Sequence, residues 1–330
     1  MRIGLIDADA VYRGKITYPN LALMKLSAYF KARGDSVIWY PTNVPLLELP
    51  YVDICYISRV FSEPYTKDYT GDILAGEVIR AGSGYAIQIE NERECYHPEL
   101  DPVLPPEAEH IYPDYDLYPF TREDGGHAYG FLTRGCPRGC DFCHVAGMQG
   151  RRAHIVAHLD EFWHGEKHIV LCDPNILACP EWHQPFGELI DSRAYVDFNQ
   201  GLDIRLLTDE KIDALNQMKY SKIHFAWDKP QDKLEDQFRM VKDKLKHCHR
   251  NCVSVYILTN NGEPFEEDVR RVEFIKSLNM QPYVMVYRQD TAPKEIRHLK
   301  RYANNNIICW ATPTFNDYEP YQKYRKSKEV

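Results

Sequence analysis

Residues 133–145, TRGCPRGCDFCHV, place Cys136, Cys140 and Cys143 within eight positions. Thiolates are nucleophiles, redox groups and soft metal ligands, so three on one short loop call for a chemical reason. The chain has ten cysteines, and its first residues, MRIGLIDADA, lack the long apolar stretch and cleavage site of a secretion signal. A reducing compartment is therefore expected, where clustered cysteines mean metal or catalysis more often than disulfides. Three readings stand side by side. The thiols could be unrelated buried groups. They could serve structural zinc, which takes four ligands; His144 follows Cys143 directly, and neighbouring residues rarely reach the same tetrahedral ion. They could hold an iron–sulfur cluster, whose irons are ordinarily bound by thiolates. Three ligands on a cubane leave one iron open, and an open coordination position separates a reactive metal site from a structural one. Gly135 and Gly139 would let the backbone fold tightly around such a group.

The elements that must position this loop are legible as a rhythm. RIGLIDA, SVIWY and DICYISRVF read as strands, and Asn20 as the N-cap of a helix carrying Leu23, Leu26 and Phe30 on one face and closed by Gly34. DILAGEVIRAG reads as helical and leads to the strand GYAIQIE. A small βαβ domain with a parallel sheet is expected over 1–95. Residues 96–127, with six prolines between His97 and Gly130, read as a connector rich in tyrosine. From 128 to 303 the apparent strands are YGFLTR, HIVLC, AYVDFN, KIHFAW, VSVYILT and PYVMVYR, each with an apparent helix after it. Six strand–helix units imply parallel strands with right-handed crossovers. A curved partial barrel, two units short of eight, and a flat doubly wound sheet are the two solutions. Residues 304–330 form a C-terminal extension ending in the basic YQKYRKSKEV, read as a frayed, solvated tail.

The pattern C-x3-C-x2-C with Phe142 before the last cysteine, placed after the first strand of six units, resembles the radical S-adenosylmethionine (SAM) superfamily. The resemblance covers about residues 128 to 303. It implies an α/β chain in which an N-terminal Rossmann-like parallel-sheet domain precedes a (β/α)6 partial TIM barrel. It also implies a 4Fe–4S cluster on the three cysteines, with SAM chelating the open iron and Phe142 near the adenine. Reductive cleavage of the sulfonium would yield a 5′-deoxyadenosyl radical that takes a hydrogen atom from a substrate. The partners of SAM should come from later strand ends. Asp173 and Asn175 in LCDPNILA would accept from the ammonium, although the Gly-Gly-Glu stretch common in the family is missing here. In DFNQGLDIRLL, Asn199 and Gln200 would bond the ribose or substrate, Asp203 the ribose diol, and Arg205 the carboxylate. The competing reading of Asp203 and Arg205 is a local ion pair. Trp227, Asp228, Thr259, Asn260, Tyr287 and Arg288 end later strands and read as substrate-facing.

RGCPRGCDFC, LCDPNILA, FNQGLDIRLL and HFAWD together resemble the radical SAM proteins that carry an N-terminal cobalamin-binding-like domain. Such domains often carry Asp-x-His-x-x-Gly after their first strand. DADAVYRG supplies Asp7, Asp9 and Gly14 without the histidine, and Gly82 and Gly84 only loosely echo the glycines that approach the cofactor. Cobalamin is therefore not expected. Cys172, which falls inside a predicted strand, and Cys179, Cys248, Cys252 and Cys309 are irregularly spaced and read as packed thiols ahead of an auxiliary cluster. The net charge of −8 argues against a nucleic acid gripped through a broad basic face. The absence of a long apolar run argues against a membrane span. The expectation is a cytoplasmic enzyme that draws electrons from a low-potential donor of flavodoxin or ferredoxin type and acts on a small molecule, nucleotide or peptide. The alternative is a non-catalytic iron–sulfur or zinc-binding module.

Overall fold

A computed structural model of the chain describes all residues except 17, 64, 91–92 and 329–330. The chain divides into two compact units, Met1–Ile169 and Val170–Val330.

The first unit begins with β1 (Arg2–Asp7), β2 (Ser36–Trp39), β3 (Val52–Ser58) and β4 (Ala75–Ala81). They form a parallel sheet in the order β2-β1-β3-β4, so the winding reverses between β1 and β3. Asn20 caps the helix Leu21–Ala32 as expected, its Oδ1 accepting from the Leu23 N–H at 3.2 Å. Ile6, Val52, Cys55 and Ile57 belong to one buried apolar cluster of this unit. The helix expected over DILAGEVIRAG is corrected: Ala75–Ala81 is a strand paired with β3. Gly76 weakens a helix there, and the adjacent β-branched Val78 and Ile79 suit an edge strand. A Cβ at Gly76 would stand 3.0 Å from the Asp53 carbonyl oxygen, so the close strand approach favours glycine. Two short strands, β5 (Ile87–Glu90) and β6 (Arg93–Tyr96), pair antiparallel after it.

The next strands are β7 (His127–Gly130), β8 (Thr133–Arg134), β9 (His154–Ile155), β10 (His168–Leu171), β11 (Tyr195–Leu202), β12 (Lys219–Ala226), β13 (Val253–Thr259) and β14 (Gln281–Val286). A six-stranded sheet runs β14-β13-β12-β11-β10-β7. Its neighbours are consecutive along the series with no reversal, which is barrel-type winding and decides against the doubly wound alternative. Helices His183–Ser192, Asp209–Leu215, Glu235–Lys244, Phe265–Ser277 and Lys294–Asn304 follow the last five strands. The first strand is the exception: Val145–Gln149 makes little more than one turn, with glycine inside it at 147 and after it at 150. Cys172 also moves, lying just beyond the end of β10.

The C-terminal tail is corrected too. Glu319–Lys328 is helical, Tyr321 stacks on Phe315 at 4.2 Å, and the Tyr324 hydroxyl donates to Glu295 at 2.8 Å. Tyr318, Tyr321 and Tyr324 recur every three residues, and that aromatic stripe docks what its charge alone makes look solvated. Among the described residues no helix is long and apolar enough to cross a membrane.

Candidate functional site

The cysteine loop lies in the first unit. Its ends are clasped by β8 and β9, which pair Thr133 with Ile155 and Arg134 with His154. Inside the clasp the Cys136 N–H donates to the Gly150 carbonyl at 3.0 Å, and the Cys143 N–H to the Cys140 carbonyl at 3.0 Å. Gly135 has φ +88°, and a Cβ there would lie 2.2 Å from the Arg152 carbonyl oxygen, so only glycine fits. A Cβ at Gly139 would meet the Arg151 guanidinium at 2.9 Å. Cys136, Cys140 and Phe142 are half-buried and Cys143 is exposed. Among the described residues no three His, Cys, Asp or Glu side chains stand together in a metal-holding group. The donor set and the glycine-dependent loop fit a three-thiolate cluster in chemistry. Because the three sulfurs do not stand together as such a group, holding a cluster would require the loop to rearrange.

The other candidates lie in the second unit. Asp173 and Asn175 are buried after β10, and Asn175 opens the short turn Ile176–Ala178. Asn199 and Gln200 occupy an irregularity of β11, where the register with β12 shifts between Phe198 and Leu202. Such bulges re-aim side chains at strand ends. Gly201, φ +91°, completes the bulge beside the His224 carbonyl. Asp203 and Arg205 are brought together: the guanidinium Nε donates to Asp203 Oδ1 at 2.6 Å, and its NH1 to Asp232 at 2.8 Å. This is the local ion pair that the sequence left open as the competing reading.

Of the strand-end residues, Trp227 does not face an open site. It is fully buried against Phe238 and Phe274, and its Nε1 donates to the Lys229 carbonyl at 3.1 Å. The Asn260 amide ties β13 to the Tyr287 carbonyl at 2.7 Å. Behind these ends lies a pair that sequence reading missed. Arg271 and Asp268, both wholly buried, are bonded at 2.5 Å, and Arg271 also donates to the carbonyls of Trp227, Asp228 and Leu258. Burial raises the Asp268 carboxyl from 3.8 to about 6, against the lowering pull of Arg271. Burial likewise pushes the thiols of Cys248 and Cys309 up to about 11, away from the reactive thiolate form.

A second group missed from sequence crosses four strands. Val196, Phe198, Ile223, Phe225, Val253 and Val255 are buried, and Phe198 and Phe225 lie against Phe186 and Phe238 of the helices. The opposite parity of the same strands carries Asp197, His224, Ser254, Tyr256 and Tyr283 on the helix-free face. The period-two alternation within VDFN, IHFA and VSVY was the signal that could have found them.

At the carboxyl ends of β1 and β3 in the first unit, the polar groups are engaged internally. Asp7 caps the helix Ala8–Arg13 through the Ala10 N–H and accepts from the Tyr118 hydroxyl at 2.8 Å; burial raises its pKa. Asp9 accepts from the Val60 N–H at 2.6 Å and the Phe61 N–H at 3.3 Å. A Cβ at Gly82 would stand 2.4 Å from the Arg59 carbonyl oxygen, and one at Gly84 2.5 Å from that of Phe61. These glycines admit the chain's own backbone.

No protein-family model matches the chain. No curated protein matches it either. Among solved structures it is similar to the apo, selenomethionine-labelled cobalamin-dependent S-adenosylmethionine radical enzyme OxsB, with a TM-score of 0.40 and 13% identity. The likeness covers 86% of this chain and 49% of that one, so this chain spans about half the length of that protein.

Proposed function

We propose that this chain is a radical SAM enzyme, in which Cys136, Cys140 and Cys143 hold a 4Fe–4S cluster and SAM is cleaved reductively to begin hydrogen-atom abstraction. One observation carries the reading: C-x3-C-x2-C stands on a glycine-dependent loop that comes, after the short β8, between the first and second strands of a sequentially wound six-stranded series. When bound, such a cluster supplies the single electron that breaks the sulfonium bond. The protein's part is to hold and shield. The β8–β9 clasp fixes both ends of the loop, and Arg151 lies beside Gly139 within it. Asn199 and Gln200, lifted by the β11 bulge, are the groups assigned to the ribose or the substrate, and Asp173 and Asn175 those assigned to the ammonium. Asp203 and Arg205 already satisfy one another, so binding the diol and carboxylate would mean sharing or opening that pair. A low-potential donor of flavodoxin or ferredoxin type would provide the electron, and the substrate would be a small molecule, nucleotide or peptide. Cobalamin has no part in this reading.

The test is anaerobic. Protein reconstituted with iron and sulfide, then given dithionite and SAM, should release 5′-deoxyadenosine, and Cys140→Ala should lose both the brown colour and the cleavage. A fully clustered sample that makes no 5′-deoxyadenosine supports the non-catalytic module instead. One zinc without inorganic sulfide overturns the cluster.

A further inference from the structure

The helix-free face of β11–β14 is built unlike a solvent-facing sheet surface. Asp197, His224 and Ser254 stand side by side on three adjacent strands: His224 Nδ1 is 2.5 Å from Ser254 Oγ, and Nε2 is 3.6 Å from Asp197 Oδ1. The first contact is a hydrogen bond; the second is too long for one, although within ion-pair reach. Asp197 Oδ1 is buried and has no hydrogen-bond partner among the described residues, while the side chain as a whole keeps 25% of its exposure. An acceptor left so is costly until a donor reaches the carboxylate. Beside this row, the His224 ring lies parallel to Tyr256, 4.9 Å away and 8° from coplanar, and Tyr256 meets Tyr283 edge-on at 5.7 Å. The Tyr256 hydroxyl is spent on the Asn199 carbonyl at 3.2 Å, so its ring and not its oxygen faces the site. Tyr283 is 43% exposed. Lys222, the cross-strand partner of Asp197, is exposed at the amino end of the face.

We infer that Asp197, His224, Ser254, Tyr256 and Tyr283 form a binding site for a planar heteroaromatic ring bearing an N–H donor. The flat, parallel and edge-on rings favour a flat ligand, which stacks on the exposed Tyr283. The under-satisfied carboxylate asks for a donor at the ligand's edge, which a plain hydrocarbon ring lacks. Ser254, already engaged with the imidazole, offers a hydroxyl to an acceptor on the same ligand edge. A saturated alcohol could bond these groups but not stack, and benzene could stack but would leave Asp197 desolvated. The site does not depend on the cysteine loop, and no cluster is needed to detect it.

The experiment uses the full chain with 15N-labelled histidine, the His224 signals being assigned through His224→Gln. Cytosine, uracil and nicotinamide are titrated in turn, with cyclohexanol as the saturated control. At least one heteroaromatic probe should shift the His224 ring signals saturably. Tyr283→Ala should weaken that binding roughly tenfold or more, the scale of one lost ring stack. Tyr283→Phe should hold it within about twofold, because the ring and not the hydroxyl makes the contact. Asp197→Asn should weaken binding of the probe while Ser254→Thr, which keeps the hydroxyl, preserves it. Failure of all three probes to move the His224 signals overturns the inference. So does binding that is indifferent to Tyr283→Ala in a variant whose melting matches the parent, or equal binding of cyclohexanol.

Discussion

The carboxyl ends of β1 and β3 and the helix-free face of β11–β14 are both rich in polar groups, yet they are satisfied in opposite ways. In the first region each acid is occupied by the fold: Asp7 caps a helix and takes the Tyr118 hydroxyl, and Asp9 holds two backbone N–H groups. The glycines there let backbone meet backbone. In the second, the buried Asp197 Oδ1 has no hydrogen-bond partner among the described residues, and Tyr283 stands open beside stacked rings. The reversal of winding between β1 and β3 is where open α/β sheets bind ligands, but here the polar groups at that position act as structural ties. Topology says where a site fits; the satisfaction of hydrogen bonds says whether groups remain to form it.

That contrast can be broken most forcefully at a tie. Arg271→Met leaves the buried Asp268 without its partner and strands three carbonyls, and should cost about 3–5 kcal/mol in urea unfolding. Gly82→Ala sets a Cβ against the Arg59 carbonyl at a φ of +106°, for a loss of about 2–3 kcal/mol by the same measurement. Asp9→Ala frees the Val60 and Phe61 N–H groups and should cost about 1–3 kcal/mol. A smaller effect is read from pH. Because the Asp268 carboxyl is raised to about 6, the folded chain takes up this proton before the unfolded chain does. Its contribution to stability is full below about 3.8 and is lost as pH rises through about 6, so the parent should show a falling component there that Asp268→Asn lacks. The smallest change is expected on the open face: His224→Gln should shift stability by under about 1 kcal/mol, as befits a partly exposed group outside the apolar core. A loss there as large as that at Arg271 would make the face another structural tie and erase the contrast.

Sequence reading served best where the signal is local. VSVYILT is β13 to the residue, and HIVLC, AYVDFN, KIHFAW and PYVMVYR all overlap their strands. The Asn20 cap and Gly34 were legible because capping is a matter of neighbours a few residues apart. It failed where context outweighs propensity. DILAGEVIRAG offers helical spacing, but β3 needed an edge strand. Trp227 ends a strand like a substrate contact, but its parity turns it into the core. The Asp203–Arg205 pair could not be decided from two letters, because the position of Asp232, the guanidinium's other partner, is set by the fold.

What the sequence determined by itself is the cysteine spacing, the glycines that bend that loop, and the succession of strands and helices, since each depends on residues close together along the chain. What only the tertiary structure decided is which polar groups the fold consumes and which it leaves to a ligand. Asp197, His224, Ser254 and Tyr283 are separated by dozens of positions and become one surface only through the parallel register of four strands. Hydrogen bonds and ring contacts reach only a few ångströms in space, so residues distant in sequence join one site only after the strands have paired.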